Sequence, residues 1–224
     1  MNTTSTNHSG PGQRAASAAN TVALTLIAML AFAANSLLCR LALGPELIDA
    51  ASFATVRVAS GTAMLSLIML PRWRVRRRAQ ADWRSAAMLF TYVACFSFAY
   101  LTLSAGTGAL ILFSAVQLTM FSVALRSGEH FAPLSWLGLA AALFGLIYLV
   151  SPGLAAPDPL GAVLMALAGV AWGIYSLRGR NAADPLESTA SNFIWATPLV
   201  IAVSVVFMND FHVSRTGLAL AVRF

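Results

Sequence analysis

The sequence predicts an all-α, polytopic membrane bundle, and three observations carry that prediction. Hydrophobic residues make up 58% of the 224 positions and charged residues only 10%, whereas soluble domains carry about 25% charged residues. The charges fall in short links between apolar runs of about 20 residues, the length of one helical bilayer crossing. One uncharged stretch, Ser85 to Leu125, covers 41 residues. That is about 60 Å of helix, twice the hydrocarbon core, so it must fold back on itself.

Each span follows from those runs. Residues 1–19 are rich in Ser, Thr, Asn, Gly and Ala and read as a disordered tail. Span 1 is expected from about Thr21 to Leu41 as an uncleaved first helix, and span 2 from about Ala50 to Leu70. The stretch 85–125 gives spans 3 and 4, with the turn expected at the Gly-rich point 104–108. Span 5 runs from about Leu134 to Val150, span 6 from Leu160 to Leu177, and span 7 from Thr189 to Phe207, where Pro198 predicts a kink. A further apolar stub begins at Thr216.

All 14 basic residues are Arg, and the formal net charge is +6. A net positive charge suits nucleic acid, but these Arg residues sit in loops between apolar runs, where they set membrane orientation. The link 71–84 holds Arg72, Arg74, Arg76, Arg77, Arg78 and Arg84. It therefore faces the cytoplasm, which puts the N-terminus inside. The expected location is the inner (plasma) membrane, with lipid as the solvent. No nucleic-acid partner is expected.

An offset of 138 aligns span 1 with span 6. It pairs Leu26 with Leu164, Ala33 with Ala171, Arg40 with Arg178, Glu46 with Asp184 and Asp49 with Glu187. Five spans separate the copies, so the second copy is inverted, an architecture whose substrate site lies near the midplane. The expected organisation is a first five-helix repeat over 20–151 and a partial second repeat over 158–224, two helices plus a stub. A complete second repeat would end near residue 289, about 65 residues beyond Phe224 on this alignment.

Several short motifs resemble one family. Phe32–Arg40 (FAANSLLCR), Phe53–Arg57 (FATVR), Ala115–Met120 (AVQLTM) followed by Gly128-Glu129 and Trp136-Leu137-Gly138, and Ala171-Trp172-Gly173 resemble EamA-type members of the drug/metabolite transporter superfamily. That resemblance implies ten helices in two five-helix repeats. It also implies alternating access for small metabolites, amino-acid-like solutes or drugs, and a cavity lined by helices 1, 3 and 4 and their second-repeat counterparts.

Candidate substrate-binding residues follow, each with a plainer alternative. Asn35 and Gln117 are polar groups within spans, which line a cavity or glue helices together. Tyr92, Tyr100, Trp172 and Tyr175 can stack on a planar or apolar substrate. Tyr100 and Tyr175 equally suit the interfacial aromatic belt. Arg57 either binds an anionic group or snorkels to the interface. Gly169 and Gly173, and the Gly138/Ala142 and Ala141/Gly145 pairs, read as close-packing faces. Every acid lies in or beside a link, so no proton-coupling carboxylate stands at the midplane. No metal-ligand spacing, phosphate loop or catalytic dyad is visible, so the reading is a carrier without cofactors rather than an enzyme. A truncated or assembly-dependent fragment, and a homo-oligomer, remain open alternatives.

Overall fold

The computed structural model describes residues 11–73, 82–150 and 156–222. The side chains of 11–19, 146, 149 and 150 lie outside that description, as do residues 74–81 of the basic link 71–84 and residues 1–10 of the tail. Every regular element among the described residues is helical: α1 (Pro11–Leu43), α2 (Ala50–Trp73), α3 (Trp83–Ala99), α4 (Ala105–Arg126), α5 (Pro133–Val150), α6 (Pro159–Gly179), α7 (Pro185–Val206), a 3-10 turn (Met208–Asp210) and α8 (Arg215–Val222). The chain divides into two units, residues 1–35 and 36–224.

Five segments are long and apolar enough to cross a membrane: Asn20–Leu43, Ala50–Trp73, Ala105–Arg126, Pro159–Gly179 and Pro185–Val206. The sequence predicts seven spans. The other two sites hold α3, with 17 residues, and α5, with 18. At about 25–27 Å each, both are slightly shorter than the hydrocarbon core. Apolar side chains cover the outside: Leu26, Leu30, Leu67, Leu134 and Phe144 are all exposed. That inversion of the soluble pattern marks a multi-pass membrane protein.

Acids in the links start the helices. Asp82, Asp158 and Asp184 accept backbone N–H bonds as the N-caps of α3, α6 and α7, and Asp49 accepts one from Ser52 N at the start of α2. A short side-chain acceptor satisfies a donor that the helix cannot, and a negative charge suits the helix N-terminus.

Three local details differ from the sequence reading. The helix begins at Pro11 rather than Thr21. Helix α2 runs through Pro71 to Trp73, beyond the expected end at Leu70. The turn between α3 and α4 lies at 100–104, ahead of the glycines, with Ser104 as N-cap of α4. Gly108 is within the helix because Tyr100 packs there: a Cβ at 108 would sit 2.6 Å from the Tyr100 ring. The glycine serves close approach, which sequence reading takes for turn formation.

In the second unit, α6 packs between α3 and α4, and α7 packs on α2 and α3, so helices of the two expected repeats interleave. Gly169 lies against Ala115 and the Leu112 carbonyl, and Gly173 against Thr119. That is the close α4–α6 contact expected of a Gly-x-x-x-Gly face. The matching expectation for α5 fails: Gly138 and Gly145 have no neighbour within 4 Å of an added Cβ. Among the described residues, α5 packs closely on α4 alone.

Candidate functional site

Helices α3 and α6 run antiparallel. Tyr92 on α3 meets Trp172 on α6 (centroids 4.7 Å apart), while at one end Asp82, the cap of α3, binds Arg178 near the end of α6. Helices α2 and α7 are also antiparallel. Thr55 donates to the Val200 carbonyl (3.0 Å) and lies 2.8 Å from Ser204 Oγ, and Thr62 pairs with Thr197 at 2.9 Å. Hydroxyl pairs of this kind satisfy each other where lipid offers no partner.

Along α3, residues 92, 96 and 100 recur every four positions and share one face. Their rings form a continuous series. Tyr100 meets Phe96 edge-on at 4.8 Å, Phe96 meets Tyr92 at 5.2 Å, Tyr92 meets Trp172, and Trp172 meets Tyr175 at 5.5 Å. Four of the seven candidate residues thus lie in one aromatic stack that crosses from α3 to α6. Phe96, which completes it, carries no polar atom and gave no signal in the sequence. Tyr92 touches both core clusters, the one around Phe53, Phe96 and Met165 and the one around Val58, Leu89 and Val200. Tyr100 is 0% exposed, so it does not belong to an interfacial belt. Its hydroxyl donates to the Ala105 carbonyl at 3.4 Å. Tyr175 packs against the second cluster.

No family model matches the chain. A protein from Pseudomonas aeruginosa named "Uncharacterized protein PA1977" is 46% identical over 202 residues, which cover 90% of this chain and 70% of that protein. The chain belongs to that protein's family. The covered share puts the relative's length at about 289 residues.

The remaining candidates of this family member fall elsewhere. Arg57 is half-buried, donates to Cys39 Sγ at 2.9 Å and stands over the Phe53 ring at 5.5 Å. Its guanidinium therefore has inward-facing contacts in addition to any reach towards an interface. Gln117 is exposed on α4 and lines a separate cavity of about 220 Å³ with Glu129 and Arg180. It does not join the stack. Asn35 is buried at the end of the first unit.

Arg40 and Arg178 are partners under the 138-residue offset. Both grip α3. Arg40 Nη1 donates to the carbonyls of Tyr100 (2.9 Å) and Leu101 (3.0 Å) at its C-terminal end. Arg178 donates through Nε (3.1 Å) and Nη2 (2.6 Å) to Asp82 Oδ2 at its N-terminal end, with Ser85 Oγ bound to the same oxygen at 2.6 Å. Burial alone would push the Asp82 carboxyl up. The bonds from Ser85 and Arg178 and the Arg178 charge outweigh it and hold the group below its ordinary value. A second ion pair, Arg72 with Asp184 at 3.3 Å, ties the end of α2 to the start of α7.

Proposed function

We propose that this protein is a membrane carrier of the drug/metabolite (EamA-like) kind, which moves small metabolites, amino-acid-like solutes or drugs by alternating access of two inverted halves. The observation that carries this reading is the Tyr100–Phe96–Tyr92–Trp172–Tyr175 stack. It joins a helix of the first repeat to an antiparallel helix of the second. Aromatic faces bind planar or apolar solutes without covalent chemistry, and a site between inverted halves can be exposed to either side by rocking one against the other.

Two further observations support it. Equivalent arginines of the two copies, Arg40 and Arg178, hold opposite ends of α3, as inverted copies would. The relative's length of about 289 residues leaves room for the helices of a complete second repeat. The Arg-rich link supports a cytoplasmic position for the Asp82–Arg178 end. On that orientation, the two ion pairs Asp82–Arg178 and Arg72–Asp184 close the inner end of the bundle.

The test is solute exchange. Proteoliposomes loaded with a defined mixture of amino acids and aromatic metabolites are diluted into buffer holding one labelled component at a time. A carrier produces protein-dependent counterflow of at least one class, and Trp172→Ala removes it. Leakage of every solute alike, or no exchange of any, opposes the reading.

A further inference from the structure

At the opposite end of the second unit from the ion pairs lies a cavity of about 280 Å³, between the α1–α2 link and the turn that follows α7. The backbone holds these two segments together: Asp49 N donates to the His212 carbonyl at 2.8 Å, and Ile48 bridges to Val213. Three carboxylates line the cavity, from Glu46, Asp49 and Asp210, together with His212. Two rings, Phe98 and Phe207, lie on its wall with centroids 5.0 Å apart.

We infer that this cavity binds an organic cation: a protonated amine carried on a small apolar or aromatic body. Charge is the first argument. Among the described residues, no arginine lines the cavity. Arg40, at the same end of the bundle, spends its Nη1 on the Tyr100 and Leu101 carbonyls. Of the three carboxylates, only that of Asp49 is engaged, with Ser52 N at 2.8 Å and His212 N at 3.1 Å. Those of Glu46 and Asp210 accept no bond and form no ion pair among the described residues, so they are available to a ligand.

Size is the second argument. The acids and His212 share one cavity, yet no group of three His, Cys, Asp or Glu side chains among the described residues converges closely enough to hold a metal ion. Charges dispersed around a volume of this size suit a cation larger than a bare metal. The phenyl pair supplies what an organic cation adds to its charge: ring faces that attract an ammonium and apolar surface for its body. The ammonium can belong to a free amine or to a lipid headgroup, since the chemistry presented is the same. The site requires no transport, so it stands or falls apart from the carrier reading.

Equilibrium dialysis of labelled 2-phenylethylammonium against the full chain in nanodiscs, with empty nanodiscs subtracted, tests it. The expected result is saturable binding that weakens with added salt and is absent for the neutral isostere 2-phenylethanol. Glu46→Gln and Asp210→Asn each raise Kd about two- to five-fold and together about tenfold. Thermal stability stays unchanged, because both side chains are unbonded. If phosphatidylethanolamine discs weaken probe binding relative to phosphatidylglycerol discs, the occupant is a headgroup; equal binding assigns a free amine. Equal affinity for the alcohol, a wild-type Kd in the double variant, or no saturable binding would overturn the inference.

Discussion

The Tyr92 ring on α3 lies 4.7 Å from Trp172 on α6, tilted by 44°. This contact links α3 to α6, and it joins the two core clusters through Tyr92. An aromatic pair of this geometry is worth about 0.5–1.5 kcal/mol beyond its buried area. Trp172→Phe should retain a ring contact and lose less than about 1.5 kcal/mol of stability. Trp172→Ala should lose about 3–5 kcal/mol, the usual range for a large aromatic truncated in a packed site. Thermal unfolding in one detergent compares them, and equal losses would deny the ring contact its structural part.

The glycines separate into two predicted classes. A Cβ at Gly169 would stand 2.6 Å from both Ala115 Cβ and the Leu112 carbonyl oxygen. Backbone cannot yield there, so Gly169→Val should push α4 from α6 and destabilise by about 3 kcal/mol or more. Gly145 on α5 has open space. Gly145→Ala should be neutral, or stabilising by up to about 1 kcal/mol, because alanine lowers the entropy cost of the helix. Unfolding midpoints of the two variants decide the matter, and similar losses would contradict the packing.

The Asp82–Arg178 pair predicts a pH dependence with a definite sign. The folded Asp82 carboxyl lies below its ordinary value, since the bonds from Ser85 and Arg178 outweigh burial. Its contribution is therefore complete above the unfolded carboxyl's value of about 4 and is lost as pH falls through the folded value. Both side chains are more than a third exposed, so the gain at pH 7 is at most about 1 kcal/mol. Asp82→Asn keeps a capping side chain at the start of α3 and removes only the charge. The stability gap between wild type and Asp82→Asn should be constant from pH 6 to 8 and close on acidification towards pH 3. A gap that widens in acid would contradict this.

Arg40 predicts a different failure. It donates to two carbonyls at the C-terminal end of α3, where a helix leaves acceptors unpaired. Arg40→Met keeps the apolar stem and removes the donors. The expected loss is about 1.5–3 kcal/mol, as for bonds from a charged group. It should appear as faster amide hydrogen exchange at 100–103 before the rest of α3. Unchanged exchange there would show that water or another group satisfies those carbonyls.

The helices were legible because charge is excluded from lipid. Asp49, Asp82, Asp158 and Asp184 mark the helix starts, and the sequence shows them as breaks between apolar runs. Which face of each helix turns inward was less legible. Along α4 nearly every residue is apolar, so nothing in the order of residues tells Gln117, which is exposed, from Val116, which is buried. Tyr92, Tyr100, Trp172 and Tyr175 read as rings that could stack on a substrate, whereas Phe96, which joins Tyr92 to Tyr100, carries nothing in the sequence that sets it apart from the chain's other phenylalanines. The glycines at 106 and 108 suggested a turn, whereas Gly108 makes room for the Tyr100 ring, a contact between helices that a linear pattern cannot display.

The central claim is that the Tyr92–Trp172 stack lies on a path opened alternately to each side of the membrane. Thiol accessibility tests it most directly. In a Cys39→Ser, Cys95→Ser background, Tyr92→Cys and Tyr175→Cys are introduced singly and reconstituted in sealed vesicles. A membrane-impermeant maleimide is then applied from one side at a time. The account predicts labelling of both positions from either side, slowed by any solute that exchanges. Protection from the impermeant reagent on both sides, with labelling only by a lipid-soluble one, would contradict it and leave the stack as packing alone.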